Sequence, residues 1–215
     1  MAGKHKKAPS AEFQNYHRPN RGPETQRTSF IPKGIEVSAV KVDGYRDVYV
    51  SDLAEVKPKE IHDIHKNTAD AIRSLGIQKE RQPQIVIVSD EELPNAYARY
   101  DACNNTVYYA HKINRDGGIP EAGGFGAVEY HEMCHMRQAE EFIRRNGPIT
   151  NENYGEYLSE TRKICKRRLD RIGINEYNVG KISDYARQMY SPSAARYDEV
   201  EAEYRVFLWK GGKLD

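Results

Sequence analysis

Nine residues carry most of the information in this 215-residue chain: Val128-Glu129-Tyr130-His131-Glu132-Met133-Cys134-His135-Met136. They lie in a segment, about 127 to 145, that reads as a helix. Gly123-Gly124-Phe125-Gly126 precedes it and Asn146-Gly147-Pro148 stops it. Four helical steps turn the chain by about 400°, so His131 and His135 project from one face, one turn apart. That is the geometry by which two imidazole nitrogens share one zinc ion. Glu132 sits beside the first of them, where it reaches a water on the metal instead of the metal. There it can take the water's proton and later return it to a leaving amine. Seven His and twenty Glu placed at random give this pattern about 0.02 times in a chain of this length, so chance is a poor account of it.

A metal site of this type needs a third protein ligand and an open position. Downstream, Asp198-Glu199-Val200-Glu201-Ala202-Glu203-Tyr204 falls in a segment, about 195 to 209, that also reads as a helix. Glu199 and Glu203 share a face at i, i+4, while Glu201 points elsewhere. One of the pair can ligate the metal, and the other can hydrogen-bond a ligating histidine.

His-Glu-x-x-His followed by Glu-x-x-x-Glu on a later helix resembles the zincins that use a glutamate as third ligand. Ile182-Ser183-Asp184-Tyr185-Ala186, followed by Glu199-x-x-Ala202-Glu203, is similar to one branch of them: the catalytic domain of anthrax lethal factor and related metallopeptidase-like proteins of phages and prophages. The resemblance covers roughly residues 85–209. It implies that His131, His135 and Glu199 bind Zn2+ and that Glu132 is the general base. It also implies that Tyr185 donates its hydroxyl to the oxyanion formed on the substrate carbonyl. The spacing from Tyr185 to Glu199 is longer than that branch shows, which keeps Tyr190 and Tyr197 as alternatives for the role. The implied activity is hydrolysis of a peptide bond in a protein or peptide substrate. In this fold an edge strand beside the active-site helix pairs with an extended substrate, and Thr106–Ala110 stands in the right order to be that strand; it reads equally as an ordinary strand with Tyr108 and Tyr109 on opposite faces. Two other readings stay open. One is a peptidase that cleaves a single regulator. The other is a non-catalytic phage structural or accessory protein that keeps the fold.

The rest of the chain fits an α+β domain: a small mixed sheet packed on the 127–145 helix, then a helical C-terminal half. Ile35-Glu36-Val37-Ser38 alternates, Asp47-Val48-Tyr49-Val50 is β-rich, and Asp43-Gly44 between them signals a hairpin turn. Residues 58–75 carry apolar residues at helical spacing and end at Gly76. Gln84–Val88 reads as a buried strand and Asn105–Ala110 as another. A further helix fits 153–171, basic at its C-terminal end, where the helix dipole favours cations. His62-x-x-His65 has ligand-capable spacing but no glutamate beside the first histidine, and it reads as a helix face. Cys134 reads as a small core thiol. The glycines at 123, 124 and 126 lack the Lys-Ser/Thr ending of a phosphate loop and read as a close passage into the helix.

Charge divides the chain in two. Residues 1–34 hold seven Lys/Arg against two Glu, a charge of +5. That leaves −4 on residues 35–215, for +1 overall. With four prolines and little apolar clustering, 1–34 reads as a flexible basic tail, able to touch nucleic acid or an acidic partner, ahead of a single domain over 35–215. Mean hydropathy is low, −0.84, and no stretch approaches the roughly 18 apolar residues of a membrane span. No secretory signal is legible, and three scattered cysteines suit a reducing cytoplasm, with virion association a further setting for a phage protein.

Overall fold

The computed structural model describes residues 35–42 and 47–214. The basic segment 1–34 and the Asp43-Gly44 turn lie outside the described residues. A five-stranded mixed sheet forms from β1 (Val37–Val40), β2 (Val48–Ser51), β3 (Gln84–Val88), β4 (Ala98–Asp101) and β5 (Thr106–Ala110). Its spatial order is β1-β2-β3-β5-β4. β1 and β2 pair antiparallel, with Val40 opposite Val48, which is the ladder expected of the hairpin. β2, β3 and β5 run parallel, with Val48 opposite Ile85 and Gln84 opposite Thr106. β4 returns antiparallel on β5, Ala98 opposite Tyr109.

This corrects one reading of the sequence. Thr106–Ala110 is not an edge strand: every residue in it is buried, between β3 and β4. The edge beside the site is β4, whose Ala-Arg-Tyr-Asp has neither β-rich composition nor alternation. Its place comes from the turn that follows it, where the Asp101 carboxylate accepts the backbone N–H of Cys103 and Asn104 and folds the chain back onto β5.

Five α-helices complete the described residues: α1 (Pro58–Ser74), α2 (Ala127–Asn146), α3 (Tyr154–Arg171), α4 (Asp184–Tyr190) and α5 (Tyr197–Trp209). α1 links the parallel strands β2 and β3, starts at Pro58 with Glu60 accepting the Lys57 N–H, and stops where Gly76 turns left-handed. α4 is not evident in the sequence, being only seven residues long. Ser183 caps it by accepting the Ala186 N–H. α5 begins two residues later than its apolar pattern, because Ala195 is left-handed.

One face of the sheet (Val48, Val50, Ile85, Ile87, Val107, Tyr109) packs under α1, α2 and the Ala202–Val206 side of α5. Val86, Val88 and Tyr108 point the other way and meet Ile35 and Leu93, so Tyr108 and Tyr109 do lie on opposite faces. α2 commits Ala127, Val128, Tyr130, Met133, Cys134 and Met136 to the core; Cys134 is the core thiol its sequence position implies. The approach to α2 is tight: a Cβ on Gly118 would stand 2.4 Å from the Gly124 carbonyl carbon, and Gly126 takes a left-handed φ at the helix start. Leu169, Ile174, Val179, Ala186 and Val200 form a smaller cluster that seats α4 against α3 and α5. No helix among the described residues is long and apolar enough to cross a membrane.

Candidate metal centre

The face of α2 left over from core packing carries His131, Glu132 and His135, and α5 lies across it. The two imidazoles sit edge to face, ring centroids 4.9 Å apart. His131 Nε2 is 3.1 Å from His135 Nε2. Glu199 Oε2 is 3.1 Å from the former and 3.3 Å from the latter. Ligands about 2.0–2.1 Å from a tetrahedral zinc are themselves about 3.3–3.4 Å apart, so three corners of such a site already stand near their places. This is the one His/Cys/Asp/Glu group of metal-binding proximity among the described residues. His62 is exposed and His65 buried on α1, and no third ligand joins them there.

The other ring nitrogens are occupied. His131 Nδ1 donates to Glu203 Oε1 at 2.9 Å, and His135 Nδ1 donates to Gln138 Oε1 at 3.0 Å. The alternative between Glu199 and Glu203 is thereby divided by geometry: Glu199 faces both Nε2 atoms, and Glu203 backs one ring from behind. Glu203 is held in turn by the Ser183 hydroxyl, 2.7 Å from its Oε2. Ser183 therefore caps α4 and steadies the carboxylate behind His131 at once. Arg196, just before α5, donates to the outer oxygen of Glu199.

Burial works against charge on both imidazoles, yet the Glu199 and Glu203 carboxylates outweigh it. They hold His131 well above the ordinary histidine range, and Glu199 lifts His135 to about 9. Glu199 is itself disfavoured by burial but driven far below the usual carboxylate range by the two rings. Without a metal, protons on the imidazoles balance the acids, and a divalent cation would compete for the same place. The donor set, two neutral-capable imidazoles and one carboxylate, each oriented from behind, fits zinc.

Glu132 is buried and points into the same space. Burial raises its carboxyl, the charge of His135 and His131 offsets part of that, and the Tyr100 backbone N–H donates to it. Of the three tyrosines, only Tyr185 reaches the centre: its hydroxyl donates to Glu199 Oε2 at 3.2 Å, and its ring is 6.4 Å from that of His131. Tyr190 hydrogen-bonds the Ile174 carbonyl and packs edge-on against Tyr197, away from the histidines.

β4 forms one rim. The Ala110 N–H donates to the Tyr97 carbonyl at 2.9 Å. In this antiparallel ladder residues 97, 99 and 101 therefore turn their backbone groups to β5, while 98 and 100 turn theirs outward toward the centre. The cleft that contains the histidines, Glu132, Tyr185, Ala98 and Tyr100 has a volume of about 1560 Å³, above the range of small-molecule pockets.

Sequence reasoning passed over Gln138, Arg196 and the role of Ser183. Gln138 had a signal, since it lies one turn beyond His135 and helical neighbours at i, i+3 meet. Arg196 had none. No protein-family model matches this chain, and comparison with curated proteins and with solved structures found no match.

Proposed function

We propose that residues 35–215 form a zincin-like, zinc-dependent metallopeptidase domain that cleaves a peptide bond in an extended polypeptide. The observation that carries this reading is the convergence of His131 Nε2, His135 Nε2 and Glu199 Oε2 within 3.1–3.3 Å of one another, beside Glu132. Bound at these atoms, zinc would supply a Lewis acid that polarises a carbonyl and brings the pKa of water near neutrality.

Glu132 is the general base. Its raised carboxyl suits a group that takes a proton from the attacking water and gives it to the leaving nitrogen. Tyr185 is the hydroxyl donor. Burial and the neighbouring Glu199 charge push its phenol up, so it keeps its proton at neutral pH and can turn from Glu199 to a developing oxyanion. Ala98 offers outward backbone groups to a substrate in extended conformation, which an open cleft of this size admits.

The test is hydrolysis of a peptide library by the zinc-loaded full chain, its Glu132→Gln variant and its Tyr185→Phe variant, with metal content measured in each. The expected result is cleavage by the wild type, none by Glu132→Gln with zinc retained, and a loss of about 100-fold in kcat for Tyr185→Phe. Equal cleavage by wild type and Glu132→Gln would refute the role of Glu132. Zinc bound without any cleavage would move the weight to the non-catalytic reading.

A further inference from the structure

The chemistry proposed above leaves a chain of buried polar groups behind His135 without a part. Gln138 is 5% exposed, so water does not compete for its bonds. Its Oε1 lies 3.0 Å from His135 Nδ1. Its amide nitrogen lies 3.0 Å from the Asp198 carbonyl oxygen and 3.2 Å from Glu201 Oε2. A primary amide accepts at one end and donates at the other, and its partners decide which way it faces. Both partners of the nitrogen, a peptide carbonyl and a carboxylate, accept only. The NH2 must face them, so the carbonyl must face His135. A carbonyl at Nδ1 requires the ring proton there. The lone pair of the neutral imidazole then sits on Nε2, the atom turned toward His131 and Glu199.

Glu201 is itself held from several sides. Arg168 and Arg205 donate to its Oε1 at 3.2 and 2.9 Å, and the Cys165 thiol donates to its Oε2 at 2.9 Å. Two guanidiniums keep this carboxylate ionised and therefore accepting. Helices α3 and α5 thus dictate the orientation of an amide on α2.

We infer that Gln138, oriented by Glu201 and the Asp198 carbonyl, is a positioning residue that sets the ring tautomer of His135 and so readies it as a nitrogen ligand. This rests on the metal reading above. It gives the two histidines different supports, an anionic carboxylate behind His131 and a neutral amide behind His135.

The experiment compares zinc affinity, by competition with a chromophoric chelator, and metal-free melting temperature for the full-length wild type, Gln138→Leu and Gln138→Glu. Gln138→Leu keeps the bulk and removes the acceptor, and zinc should bind about 10- to 100-fold more weakly. Gln138→Glu keeps an acceptor at Nδ1 but puts a second carboxylate beside Glu201. Its melting temperature should fall while its zinc affinity stays closer to wild type than that of Gln138→Leu. Affinity and stability falling in step in both variants would reduce Gln138 to a structural role and overturn the inference, as would unchanged affinity in Gln138→Leu. Nitrogen-15 NMR of the zinc-loaded wild type reads the tautomer without any variant. A proton on Nδ1 of His135 is expected, and a proton on its Nε2 would overturn the inference. Wild type that binds no zinc sinks the metal reading itself, whereas wild-type binding with unaltered Gln138→Leu sinks this inference alone.

Discussion

Helix α5 buries three glutamates within five residues, and its two faces treat them differently. Glu201 meets Arg168, Arg205, Cys165 and the Gln138 amide. Glu199 and Glu203 meet the imidazoles of His131 and His135. All three carboxyls lose hydration and all three are held below the usual carboxylate range by what surrounds them. The difference lies in the balancing charge. A guanidinium keeps its charge at any accessible pH, so the Glu201 face is complete as it stands. An imidazole is charged only while protonated, so on the other face, beyond the Arg196 guanidinium at the outer oxygen of Glu199, the balance consists of protons that a metal ion can replace. Burial and charge mark both faces equally; exchangeable compensation marks one.

Four measurements break or sharpen this contrast. The largest effect belongs to the exchangeable face: His135→Ala and Glu199→Ala should each lose the single zinc per chain expected of wild type, read by elemental mass spectrometry. If Glu199→Ala keeps its zinc, the assignment of the third ligand is wrong. On the other face, Glu201→Ala should cost about 3–5 kcal/mol of unfolding free energy in urea by leaving the Arg205 guanidinium uncompensated and Arg168 with Glu141 alone, yet folded protein should still bind one zinc. Loss of zinc at unchanged stability would reverse the assignment of the two faces.

The third measurement concerns a carboxylate with no cation at all. Glu129, on the core side of α2, is fully buried. Burial lifts it to about 7, against hydrogen bonds from the Asn114 and Asn67 amides. A carboxyl whose folded pKa lies above its unfolded value holds its proton more tightly when folded. Its contribution to stability is therefore present below about pH 4.5 and is lost as pH rises through about 7. Removing this titration with Glu129→Gln should flatten the pH dependence of the unfolding free energy over that window by about 3 kcal/mol. An unchanged slope would mean that the group ionises normally. The smallest effect should come from Glu203→Ala: zinc retained at one per chain but bound about 10- to 100-fold more weakly, since the ring it backs keeps its Nε2. Complete loss would make Glu203 a ligand.

Much of the fold was legible wherever a local pattern had a single reading. α1, α2, α3 and β3 fall within a residue or so of their expected bounds, because each carries a strong apolar period and a stop of its own. β4 and α4 were not legible. Four residues without alternation and seven residues held by one serine cap have no pattern to read, and their conformation depends on β5 and on the α3–α5 cluster. The edge was misplaced for a related reason. Thr106–Ala110 is the better strand by composition, and better strands are buried in the middle of a sheet, while the short, polar one is left at the rim.

The candidate site divides along the same line. The sequence by itself determined that His131 and His135 share a face with Glu132 beside them, and that Glu199 and Glu203 share another, because helical geometry relates residues a turn apart wherever the helix lies. Only the tertiary structure decided that Glu199 rather than Glu203 turns to both Nε2 atoms, that Tyr185 rather than Tyr190 or Tyr197 reaches Glu199, and that Gln138 stands behind His135 with its carbonyl forward. Those choices set side chains on α2 against groups 60 to 72 residues away on α5, and α4 against both. They depend on how far each helix is rotated about its own axis, which is fixed by the apolar residues it packs into the core, Met133 and Met136 on α2 and Val200, Ala202 and Val206 on α5.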